Sequence, residues 1–152
     1  AQQGYERFAR DELALAISFF EQAVDIYKGD FLAEESYEAW IDLKRDSLRS
    51  YYIEILMTMA RIYEEQEQPF QAVEYLKKAI QCDPLHEEAY QNLMIVYADA
   101  GMTKTAAALY ERWRQIAISE LGVEPDPETR NIYNKIQAIH FKHNQVIQFK
   151  KR

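Results

Sequence analysis

Apolar residues recur along this chain at steps of three or four and almost never alternate, a pattern that predicts helices throughout. Leu13, Ile17, Phe20, Val24 and Tyr27 share one stripe and predict a helix over 11–27. Lys28-Gly29-Asp30 stops it, because Gly29 can take the left-handed conformation that closes a helix end and lets Phe31-Leu32 fold back. Ser36, with Glu35 and Glu38 beside it, marks the next start. From there Tyr37, Ile41, Leu48, Tyr52, Ile55, Met59 and Ile62 keep helical spacing to Gln66 without Pro or Gly, predicting a helix of about 30 residues, long for a small domain. A second apolar line through Trp40, Leu43, Tyr51, Leu56 and Tyr63 widens its buried face and makes it the spine of the fold.

Pro69 suits the first turn of a helix over 70–81 that carries Phe70, Val73, Leu76 and Ile80 inward. Asp83-Pro84 ends it, since a residue before proline avoids the helical region. Two further stretches run from Leu85 to Ala100 before Gly101 and from Thr103 to about Leu121 before Gly122. Asp126-Pro127-Glu128 supplies cap, first turn and a dipole-matched acid for a last helix through Ile132, Ile136 and Ile139. The resulting division is a linker over 1–10, a helical domain over 11–143 and a basic tail over 144–152.

Composition narrows the picture. The chain has 152 residues, enough for one domain with a sizeable core, and only 4 Gly and 4 Pro punctuate it, which favours long helices. A formal net charge of −7 works against a sequence-independent grip on DNA, so no direct nucleic-acid contact is expected from this domain. The one cysteine, Cys82, cannot form an internal disulfide, and no apolar run is long enough to cross a bilayer; a cytoplasmic setting without membrane partners is the expectation. The chain begins at Ala1 without an initiator methionine, which reads as a piece of something longer.

An offset of 34 residues brings Tyr63 onto Tyr97, Met59 onto Leu93, Ala72 onto Ala106 and Leu76 onto Tyr110. A small Ala at the start of the second helix of a hairpin lets two backbones approach closely, and large residues fill the space around the crossing. Ala72, Leu76, Ala79 and Pro84 follow the spacing of the tetratricopeptide repeat, as do Tyr97, Gly101 and Ala106. The predicted fold is all-α: a tetratricopeptide-like right-handed stack of antiparallel helical hairpins, about six helices in all. Two departures stand out. Glu67 occupies the turn position that holds Gly101 in the second copy, implying a different turn or a strain cost. Trp113 replaces the small Ala79 equivalent, implying a more distant neighbour, which the last helix would supply.

The order of loop motifs adds a second resemblance. IYKGDFL (26–32), YEAW with KRDSLRSYY (37–52), DPLHEEAYQNLM (83–94), YERWR (110–114) and ELGVEPDPETRNIY (120–133) together resemble the bacterial transcriptional activator domain of antibiotic-type regulators, over roughly residues 8 to 136. The resemblance implies a regulatory, non-catalytic domain of a cytoplasmic transcription factor that supports dimerisation and contact with transcription machinery, the DNA-binding winged helix lying outside this chain. The alternative is a stand-alone tetratricopeptide adaptor that binds a peptide.

Candidate chemistry is sparse. His140 and His143 stand at an i, i+3 spacing without an acidic or cysteine ligand nearby, so no metal site is assigned. His86 stands at a helix entrance and Cys82 beside Asp83, settings for a turn and a packing residue. With no phosphate-cradling loop and no nucleophile elbow, neither a catalytic residue nor a cofactor is expected. The concave side of the stack is expected to expose a partner groove of Glu54, Met57, Arg61, Glu64, Gln91, Asn92, Ile95 and Asp99. Its acids suit a basic or mixed apolar protein segment better than a terminal carboxylate. Phe19, Phe20, Trp40, Tyr51 and Tyr52 form the candidate self-association surface of a homodimer, because adjacent aromatics differ by about 100° around a helix and cannot all point inward.

Overall fold

A computed structural model of the chain describes residues 1–8, 12–27 and 39–150, with the side chains of 39–41 and 140–150 outside the description. The described residues form seven α-helices: α1 Gln2–Phe8, α2 Leu13–Ile26, α3 Ala39–Glu65, α4 Pro69–Cys82, α5 Glu87–Asp99, α6 Thr103–Ile116 and α7 Pro127–Lys150. One π-helical turn, Ala117–Leu121, follows α6, and Gly122 closes it in the left-handed conformation at φ 69°. No strand occurs among the described residues. The stop at Gly29 and the start at Ser36 lie outside them.

Each helix packs on the next, and α7 also returns to α5, so the architecture is a tetratricopeptide-like stack of antiparallel hairpins. The helix beyond the expected six is α1, in the segment read as a linker. Its polar sequence carries only two apolar anchors, Tyr5 and Phe8, spaced i, i+3. Tyr5 meets the Phe20 ring edge-on at 4.9 Å between centroids. Gly4 makes that approach possible, since a Cβ there would stand 2.7 Å from Phe20 Cε1.

The long α3 is the spine because its two sides serve different neighbours. Ile55, Met59 and Ile62 close a core with Ala16 and Phe20 of α2. Leu56 and Ala60 enter the larger core with Leu76, Ala79, Tyr90, Leu93 and Trp113 from α4, α5 and α6. The second apolar line is only partly buried: Leu43 is 73% exposed and Tyr51 59%. The 14 residues of α4 span about 21 Å and the 27 of α3 about 40 Å, so α4 cannot cover the whole of α3, and Tyr51 faces a cleft toward α2. Phe70 is 85% exposed rather than inward, because the face of α4 that the core takes passes through Ala72, Leu76, Ala79 and Ile80 and leaves the second helical residue outside it.

The repeat is exact at its turns. Gln68 N–H donates to Tyr63 O at 2.8 Å, and Met102 N–H donates to Tyr97 O at 2.7 Å, one period later. Both turns pass through a left-handed residue, Glu67 at φ 56° and Gly101 at φ 75°. Ala72 and Ala106 are fully buried at the two helix crossings. Trp113 does not wait for α7: its ring stands 4.9 Å from Tyr90 inside the main core. The last helix instead caps Tyr110, whose ring stacks on Tyr133 at 4.0 Å, with Ile136 joining Met94 and Ala106.

A polar latch fixes where α7 begins. Thr129 is fully buried, donates its hydroxyl to Glu87 Oε1 and accepts from Gln91 Nε2 at 2.7 Å. Glu87 Oε1 also accepts the Asp126 N–H at 2.9 Å. Two side chains of α5 thereby hold the start of α7, Glu87 through a main-chain N–H and a hydroxyl and Gln91 through the hydroxyl alone.

Candidate partner groove

A concave groove of about 680 Å³ lies between α1, α3 and the start of α5. One wall is a face of α3: Ser50, Glu54, Met57, Arg61 and Glu64 follow one another at steps of three or four, with Ile53 and Thr58 beside them. Tyr5 reaches in from α1, and Asp83, His86, Glu88 and Asn92 complete the lining. Asp83 turns the chain from α4 into α5, its carboxylate accepting the Leu85 N–H at 2.9 Å.

Four carboxylates face a single arginine in this lining. The Arg61 guanidinium stands 5.4 Å from the centre of the Phe8 ring, so the one cation is held against α1. Burial raises the Glu64 carboxyl above its ordinary value, and repulsion from Asp99 and Glu65 adds to the effect. Burial pushes the Tyr5 hydroxyl up to about 12. That hydroxyl is buried beside Thr58 and Glu54, and His86 Nδ1 is buried with no hydrogen-bond partner among the described residues.

Five of the eight predicted groove residues meet here: Glu54, Met57, Arg61, Glu64 and Asn92. Asp99 lies farther along, in a depression of about 520 Å³ that it shares with Glu64, Glu67 and Pro69. Gln91 instead turns to α7, where it holds Thr129, and Ile95 is exposed on α5 but lines neither hollow. Tyr5, Asp83, His86 and Glu88 are lining residues that sequence reasoning missed. Glu88 stands four residues before Asn92 and so shares its face, a spacing that marks it. Gly4-Tyr5 followed by Phe8 marks an anchored helix.

The aromatic residues divide. Phe19 and Ile26 of α2, with Tyr27 just past its end, face Leu48, Tyr51, Tyr52 and Ile55 of α3 across a cleft of about 650 Å³. Tyr52 stacks on Tyr27 at 4.1 Å. Phe20 is not at this surface: it is fully buried in the core between α2 and α3, about 100° around the helix from Phe19. The Trp40 side chain lies outside the described residues, as do those of His140 and His143. No helix among the described residues is long and apolar enough to cross a membrane.

The model of the bacterial transcriptional activator domain family matches residues 1–137, from α1 into α7. Regulatory protein DnrI of Streptomyces peucetius is 25% identical over 136 residues, covering 90% of this chain and 50% of that protein. The chain therefore spans about half the length of this curated relative. Among solved structures, the C-terminal TPR-containing domain of a Plasmodium falciparum protein named as an FK506-binding protein superposes with a TM-score of 0.59. At 18% identity, over 99% of this chain and 88% of that one, it shows likeness of fold alone. With a family match that runs from α1 into α7, the chain belongs to the bacterial transcriptional activator domain family.

Proposed function

We propose that this domain regulates transcription by protein contact, taking a cationic segment of a partner protein into the groove between α1, α3 and α5. The observation that carries the proposal is the set of four acids, Glu54, Glu64, Asp83 and Glu88, gathered around one ring-bound arginine in a concave surface. Complementary charge of this kind speeds encounter and selects the partner, while Ile53 and Met57 offer apolar contact. The domain is a non-catalytic part of a cytoplasmic regulator whose winged helix, outside this chain, reads DNA. Its net charge of −7 supports that division of labour.

Titration with Lys/Arg-rich and Asp/Glu-rich peptides of equal length tests the groove. The first should bind, with affinity falling as salt rises and on Glu54→Lys with Glu64→Lys; equal binding of both peptides would refute the proposal. A gel shift with this chain alone should show no sequence-specific complex.

Dimerisation belongs to the same proposal, through the cleft of Phe19, Tyr51 and Tyr52; Trp40, of the same expected surface, has its side chain outside the described residues. Exposure of Tyr51 at 59% supports it. Light scattering should show a dimer that weakens on Phe19→Asp or Tyr51→Asp without loss of helicity; a strict monomer at high concentration contradicts it.

A further inference from the structure

We infer that the acidic groove takes up the basic segment 140–152 of a second copy of this chain. The inference rests on the groove reading above and adds the identity of the occupant. In a chain of net charge −7, HFKHNQVIQFKKR carries Lys142, Lys150, Lys151 and Arg152, two histidines and no acidic residue. It is the counterpart in sign of the four-carboxylate lining, whose one arginine is engaged with Phe8. Its ammonium and guanidinium groups are donors only. The carboxylates of Glu54, Glu64, Asp83 and Glu88 accept from them. Phe141, Val146, Ile147 and Phe149 give the segment apolar side chains to set against Ile53 and Met57.

Direction makes the contact one between copies. Thr129 of α7 bonds Glu87 and Gln91 at the start of α5, and Ile136 joins Met94 farther along α5. The two helices therefore run the same way, and because the α7 backbone stays helical to Lys150, residues 143–150 run on past the end of α5 at Asp99 instead of turning back into the groove of their own chain.

The test uses a fluorescent, C-terminally amidated peptide of residues 140–152, titrated by anisotropy with the full chain carrying Lys150→Glu, Lys151→Glu and Arg152→Glu so that its own tail does not compete. Binding is expected at low salt, at least about tenfold weaker when Glu54→Lys and Glu64→Lys are added, since several charge pairs are lost together. Circular dichroism checks that each variant keeps its helices. Mixing the intact tail-reversed chain with the intact groove-reversed chain, both also carrying Tyr51→Asp to remove association through the aromatic cleft, should restore an association that neither variant shows alone, because each tail then meets a groove of opposite sign. Binding that ignores the groove substitutions overturns the inference, and so does a mixture that fails to associate. If a sequence-scrambled 140–152 peptide binds as tightly, the tail is not the specific occupant and only the cationic-segment reading of the groove survives. If no cationic peptide binds, both fail.

Discussion

The two hairpin turns form a matched pair in which one residue carries a conformational cost and the other does not. Glu67 at φ 56° and Gly101 at φ 75° occupy equivalent positions one repeat apart. The left-handed region costs an L-residue about 1–2 kcal/mol, while replacing glycine with alanine restricts the unfolded chain and returns about 0.4–1 kcal/mol. Because a Cβ on Gly101 meets nothing within 4 Å, Gly101→Ala isolates the backbone effect and should destabilise the domain by about 1 kcal/mol. Glu67→Gly runs the same exchange backwards and should stabilise it by about 0.5–1 kcal/mol. It also removes a carboxylate from the hollow it shares with Glu64 and Asp99, so Glu67→Gln is the control that separates charge from backbone. Urea melts followed at 222 nm should show opposite shifts in midpoint with unchanged slope, and each 1 kcal/mol should move the melting temperature by about 2–4 °C at this chain length. If Glu67→Gly lowers stability, or Glu67→Gln accounts for all of its gain, the left-handed strain assigned to the first turn is refuted.

Gly4→Ala places a Cβ 2.7 Å from Phe20 Cε1, an overpacking cost of about 1–3 kcal/mol that the better helix propensity of Ala only partly offsets. Loss of Tyr5–Phe20 cross-peaks in NMR should report the unseating of α1, and unchanged cross-peaks would show that no close approach exists. Thr129→Val keeps the volume but leaves Glu87 and Gln91 without their buried partner, so denaturant melts should show a loss of about 2 kcal/mol; a loss below about 0.5 kcal/mol means the latch does not hold α7. The raised carboxyl of Glu64 favours the fold in its protonated form, a contribution present below its ordinary value of 4.5 and lost as pH rises through the folded value. Glu64→Gln should therefore be more stable than the parent at pH 7 and no different at pH 3, and a gain independent of pH would point to packing instead.

Periodicity exposed most of the fold because helical spacing and the 34-residue offset are both written in single residue types. Ala72 and Ala106 are small where helices cross, and Tyr63 and Tyr97 close equivalent turns. The departure at Glu67 was legible as a different turn or a strain cost, and its φ of 56° beside 75° at Gly101 makes it the same left-handed turn. What escaped was whatever depends on which neighbour a helix finds. Trp113 signals a large gap but not that Tyr90 fills it, Leu43 has the spacing of a core residue on a stretch of α3 that α4 does not reach, and Phe70 lies off the face of α4 that the core takes. The groove was half legible: the α3 wall follows from spacing along one helix, whereas Tyr5 and Asp83 come from other elements that only the tertiary fold brings alongside. Gln91 has the right spacing for the groove and is drawn to Thr129, 38 residues away in sequence.

The most direct test of the groove as the working surface is an NMR titration of the isotope-labelled chain with a Lys/Arg-rich peptide. Amide shifts should concentrate on Glu54, Met57, Arg61, Glu64, His86, Glu88 and Asn92 and collapse on Glu54→Lys with Glu64→Lys. Shifts centred instead on Phe19, Tyr51 and Tyr52, or spread evenly over the acidic surface, would contradict the groove as the partner site.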